Sequence, residues 1–150
     1  MTITAQEEHH EGRHATSLLY AVKRVELVVR SHLDELLRPS GITVAQYTAL
    51  TVLERHDGLP AARLARDSFV TAQSMADMVY ALEKRGLIER ERNPANRREL
   101  LIHLTDEGRK LLADQAEAVA AVERRMISEL SPQQVDQFRS LLTDAWRALS

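Results

Sequence analysis

The chain has 150 residues, with 20 Lys and Arg against 22 Asp and Glu and a formal net charge of −2. Hydrophobic residues make up 44%, enough for about one domain with a real core and too much for a disordered chain. The absence of cysteine excludes disulfides, thiolate zinc sites and thiol redox sensing.

Only five glycines and four prolines punctuate the sequence, which favours long helices over a many-stranded sheet. No apolar run approaches the roughly 20 residues of a membrane span. The opening MTITAQEEHHEGRH has no apolar stretch and does not read as a signal peptide. The expectation is a soluble cytoplasmic protein without a membrane partner.

Residues 1–13 are polar and read as a flexible tail. His9, His10 and His14 with Glu7, Glu8 and Glu11 have metal-binding side chains, but in such a tail they read as solvated, and no metal site is expected. From about His14 to Arg38, Leu18, Val22, Val25, Val29, Leu33 and Leu36 recur every three or four residues and predict a helix with one apolar seam. Pro39-Ser40-Gly41 stops it.

Thr43-Val44-Ala45-Gln46 is a capping box, with Ile42 and Tyr47 placed as a hydrophobic staple. This second helix runs through Leu50 and Leu53 to about His56, and Asp57-Gly58 ends it. Pro60 starts a short helix that carries Leu64 and Ala65 and finishes near Asp67. After Ser68-Phe69-Val70, Thr71 caps a fourth helix reaching Arg85, and Gly86 stops it. Met75, Met78, Val79 and Leu82 share one face; Ala72, Gln73, Ala76, Asp77, Tyr80 and Lys84 lie opposite. Short helix, tight link and second helix have helix-turn-helix spacing.

Leu87–Arg92 and Arg98–Leu104 flank the turn formers Asn93-Pro94-Ala95-Asn96 and predict a β-hairpin. Lys84, Arg85, Arg90, Arg92, Arg97 and Arg98 face only Glu89 and Glu91 in this stretch, a local positive excess suited to phosphate. A hairpin after a helix-turn-helix makes a winged helix. Thr105 then caps a helix from Asp106 to about Glu129. Ser131-Pro132-Gln133-Gln134 opens a last helix that buries Val135, Phe138, Leu141, Leu142 and Trp146. The apolar seams of the first and last two helices exceed what one winged helix needs, which predicts packing on a second copy of the chain.

Leu82-Glu83-Lys84-Arg85-Gly86-Leu87-Ile88-Glu89-Arg90, Asn93-Pro94-Ala95-Asn96-Arg97-Arg98 and Leu104-Thr105-Asp106-Glu107-Gly108 together resemble the MarR family of bacterial transcriptional regulators, over about residues 14–149. The resemblance implies a mainly α fold with a small β-hairpin wing: a winged helix-turn-helix at 43–105, flanked by N- and C-terminal dimerisation helices at 14–38 and 106–149. Residues 14–150 then form a single domain. The implied homodimer puts the fourth helix in the major groove of double-stranded DNA and the wing in the adjacent minor groove. Two departures stand out. Asn96 replaces the usual wing aspartate, so a neutral hydrogen bond stands in for the charge pairing that orients the wing arginine. Asp77 stands where an arginine is frequent, which weakens the attraction for phosphate.

The candidate DNA contacts are Thr71, Ala72, Gln73, Ser74, Asp77, Arg92, Arg97 and Arg98. Gln73 suits adenine N6 and N7, and Asp77 suits cytosine N4, though Asp77 serves equally as a salt-bridge partner and Thr71 as a cap alone. Because β side chains alternate, one of Arg97 and Arg98 is expected to enter the groove. By the same resemblance, a small aromatic or phenolic effector would sit between the dimerisation helices and the winged helix, with Arg24, His32 and Tyr47 as polar groups; ordinary packing is the competing account of each. No catalytic constellation or cofactor motif stands out. The functional expectation is a ligand-responsive repressor on a palindromic operator; the alternative is a winged-helix protein-interaction module without DNA binding.

Overall fold

The computed structural model describes residues 17–150. The predicted tail and the histidine cluster His9, His10 and His14 lie outside them. Helix α1 spans Leu18–Leu37, and Ser17 caps it by accepting from the Tyr20 amide. A 3-10 turn, Arg38–Ser40, extends it, so the stop comes at Gly41, whose φ of 76° is open to glycine without strain.

Helix α2 spans Val44–Arg55 and starts from the predicted capping box: Thr43 Oγ1 accepts from Gln46 N at 3.1 Å and Gln46 Oε1 from Thr43 N at 3.0 Å. A two-residue strand follows, β1, Leu59–Pro60, which the sequence reading missed and which makes Pro60 the N-cap of α3, Ala61–Asp67. Two residues carry no periodicity, so β1 exists only through its partner strand. Helix α4 spans Ala72–Lys84, capped by Thr71, and Gly86 ends it in the left-handed region at φ 74°. Met75, Met78, Val79 and Leu82 are its buried residues, as the 3.6-residue period predicts.

Strands β2, Ile88–Asn93, and β3, Asn96–Leu104, form the hairpin. The sheet order is β1-β3-β2, all antiparallel, with Ile88 opposite Leu104, Arg90 opposite Ile102 and Arg92 opposite Leu100. The turn is tighter than predicted. Asn93 pairs with Asn96, so only Pro94 and Ala95 lie between the strands, and Arg97 sits in β3 rather than in a loop. The Asn93 side chain supports this turn by accepting from the Ala95 amide at 3.0 Å.

Helix α5 spans Asp106–Met126, shorter than predicted, and α6 spans Pro132–Leu149. The core gathers Leu37, Ile42, α2, α3, α4, the sheet and Leu112 of α5. No α6 residue is fully buried among the described residues: Leu141 and Trp146 are 66% and 60% exposed, so the seam expected to meet a second copy stands open. Leu18, Val22 and Val25 of α1 and Met126 of α5 are exposed as well. Their periodic seams are real, but nothing among the described residues covers them.

Candidate nucleic-acid interface

Helices α3 and α4 meet through Ser68-Phe69-Val70. Backbone amides of Ser68 and Val70 bond the carbonyls of Leu64 and Ala65 at 3.0 and 3.1 Å, so the turn is tied to α3. Its sharpness requires a positive φ, which falls on Phe69 at 60°, although its side chain is 82% exposed. An aromatic residue in the left-handed region is strained. This feature was not singled out from sequence.

The turn leaves Thr71, Ala72, Gln73, Ser74, Ala76, Asp77 and Tyr80 exposed along one side of α4. Thr71 Oγ1 accepts from the Ser74 amide at 3.0 Å and so serves as a cap. No lysine or arginine occurs from Thr71 to Glu83. On the neighbouring elements, Arg66, Arg97 and Arg98 are exposed and have no ion-pair partner among the described residues, whereas Arg63 bonds Asp67 at 3.3 Å.

Strand alternation puts Arg98 on the face of Leu100 and Ile102, and Arg97 on the face of Glu99 and Leu101. Arg92 donates to the Arg97 carbonyl at 2.8 Å and braces the hairpin from across the sheet. Asn96 accepts from the backbone amide of Arg98 at 3.2 Å. The neutral bond expected of Asn96 therefore shapes the Arg98 backbone and leaves the guanidinium unengaged.

Two contacts fix the wing to the helices. Arg90 donates to both Glu83 carboxylate oxygens, at 2.7 and 3.0 Å, and joins β2 to α4. The hydrogen bond from Arg90 holds the Glu83 carboxyl below its usual range and raises Arg90 in return. On the other side, Asp57 accepts from the Leu104 amide at 2.8 Å and stands 3.3 Å from His103 Nδ1 and 3.6 Å from Arg109. His103 Nε2 is 3.0 Å from Glu91 Oε1, within ion-pairing reach but off the line of a hydrogen bond. Arg85 reaches back to the Ser40 carbonyl at 2.9 Å. These partners are seven to 47 residues apart, so periodicity and local motifs give no sign of them.

Helix α5 is seated against the same unit. Thr105 Oγ1 donates to the Gly86 carbonyl at 2.6 Å and accepts from the Gly108 amide at 3.1 Å. Gly108 is buried so closely against the Leu87 carbonyl and Leu104 that any Cβ would overlap them.

Of the residues expected at an effector site, the structure brings Arg24 and His32 together. They line a groove of about 480 Å³ between α1 and α5, floored by Val25, Val28 and Val122, with Arg125 on its rim. Arg125 was missed because it lies 101 residues from Arg24, with no motif to join them. Tyr47 is not part of this groove. It is half-buried on α2 against the core, and burial, then Glu54, raises its phenol pKa.

The MarR family model matches residues 42–100, from Ile42 into strand β3 of the wing. The HTH-type transcriptional repressor Rv2887 of Mycobacterium tuberculosis is 35% identical over 82% of this chain and 88% of its own length. The repressor CouR bound to a 23-mer DNA duplex is 32% identical with a TM-score of 0.78, covering 86% of this chain and 92% of that one. CouR from Rhodococcus jostii RHA1 bound to p-coumaroyl-CoA is 28% identical with a TM-score of 0.78, covering 86% and 91%. With its helix-turn-helix, braced basic wing and adjoining long helices in the arrangement of these relatives, the chain belongs to the MarR family.

Proposed function

We propose that this chain is a homodimeric, DNA-binding transcriptional regulator, acting as a ligand-responsive repressor. The observation that carries the reading is the exposed polar side of α4 joined to the cationic wing through the Arg90–Glu83 pair. Gln73, Ser74 and Asp77 face the major groove, with Ala72 close to the bases, while Arg98 enters the minor groove and Arg92 and Arg97 shape and flank the tip. The apolar faces of α1, α5 and α6 pack on a second copy. The two recognition helices then stand about one helical turn, roughly 34 Å, apart and read a palindrome.

The α1–α5 groove takes a small aromatic or phenolic acid, with Arg24, His32 and Arg125 around an apolar floor. Because α5 is locked to the winged helix at Thr105 and Gly108, a ligand that shifts α5 also shifts the recognition helix. Changing the distance between the two helices releases DNA, since both must dock at once.

Selection of bound fragments from the native genome, followed by titration of the enriched site, tests the reading. An enriched palindrome bound at physiological salt is the expected result. Absence of any enriched sequence overturns it.

A further inference from the structure

The exposed side of α4 differs electrically from a surface made for general DNA affinity. It bears one free ion in its first ten residues, and that ion is the Asp77 carboxylate. Asp77 is exposed and has no ion-pair or side-chain hydrogen-bond partner among the described residues. Glu83, the next acid along, is taken up by Arg90. A bare carboxylate brought into a groove between phosphates is repelled, so Asp77 detracts from non-specific binding. Its presence has a use only where the groove offers it a donor.

An ionised carboxylate only accepts hydrogen bonds. On the major-groove edges of the bases, the donors are cytosine N4 and adenine N6; thymine O4 and guanine O6 and N7 accept. Adenine places its N7 acceptor beside N6, against the second carboxylate oxygen, whereas cytosine presents N4 beside an apolar C5–H. We propose that Asp77 is a specificity-determining residue that requires a cytosine in each half-site, an inference that rests on the DNA-binding reading above. Gln73 lies one turn earlier on the same side of α4. The half-site then carries a cytosine under Asp77, close to the base read by Gln73. Thymine or guanine there leaves a desolvated carboxylate facing acceptors, and adenine sets its N7 against the second carboxylate oxygen, which discriminates by roughly tenfold to hundredfold. General affinity is left to Arg66 and the wing.

The test selects duplexes from a randomised pool with the full-length chain and with Asp77→Asn and Asp77→Ala, both at an exposed position whose change leaves the fold intact. Wild type enriches a half-site with the cytosine. Asp77→Asn moves the preference at that one position towards adenine, which asparagine bonds through N6 and N7, and keeps the others. Asp77→Ala loses preference there and binds unrelated duplex more tightly at the same salt. The same base enriched by all three proteins overturns the assignment of Asp77 while leaving DNA binding intact. No enrichment by wild type removes the DNA-binding reading, and this inference with it.

Discussion

Arg90 and Glu83 join the wing to the recognition helix through two hydrogen bonds from one guanidinium to one carboxylate. The geometry ties helix α4 and the hairpin into one rigid unit. Arg90→Ala is expected to lower operator affinity a few-fold and the melting temperature slightly. The pH dependence has a definite sign. Glu83 is held below its usual range, so the pair's contribution is complete above about pH 4.3 and is lost as pH falls through the lowered value. Melting curves of wild type and Arg90→Ala should differ by a constant amount from pH 6 to 8 and converge in acid. A gap that widens on acidification would contradict the assignment.

Arg98→Ala should weaken operator binding and reduce the salt slope by about one unit, as loss of one phosphate-neutralising cation requires. Arg97 lies on the opposite strand face, so Arg97→Ala should have the smaller effect. Band-shift titrations across salt concentrations measure both. Equal losses in the two variants would rule out insertion of a single arginine.

Gly108 is glycine for want of space. A Cβ there would overlap the Leu87 carbonyl and come within 2.6 Å of Leu104 Cδ1, and a backbone carbonyl cannot rotate away. Gly108→Ala should destabilise by on the order of 1–3 kcal/mol through displacement of α5 from the winged helix. Urea unfolding measures it. A neutral result would mean that α5 re-seats freely, which would also weaken its role in transmitting a ligand's effect.

Phe69 holds a positive φ with its ring largely exposed. Phe69→Gly relieves about 1–2 kcal/mol of left-handed strain and adds back about 0.5–1 kcal/mol of chain entropy. The net expectation is a rise in melting temperature of a degree or more. A fall would show that the ring is covered in the working assembly and contributes there.

The elements with strong local signals were legible in sequence. The capping boxes at Thr43 and Ser131 and the four-residue apolar set of α4 stand where their patterns require. What escaped was long-range. Strand β1 is two residues defined by pairing with β3, and Asp57 meets Leu104 and His103 only after the chain has closed. All three effector candidates came from the resemblance; Arg24 and His32 share a face of α1 and line one groove, whereas Tyr47 packs on the core from α2. Along α6 the period marked the apolar seam, and its excess over what one winged helix needs pointed to a second copy; among the described residues that seam is uncovered.

That other surface yields the last prediction. Leu141 is 66% exposed on a helix with no fully buried residue among the described residues, beside Leu142, Phe138 and Trp146. Leu141→Glu should therefore leave helical content unchanged by circular dichroism while placing a charge in the apolar seam between copies, where burial without a partner is costly. Sedimentation velocity should report a shift from dimer to monomer at micromolar concentration. Operator affinity should fall by roughly tenfold or more, because two linked half-site contacts become independent. A variant that remains dimeric would move the seam away from Leu141, and one that is monomeric yet binds the full operator unchanged would separate dimerisation from DNA reading.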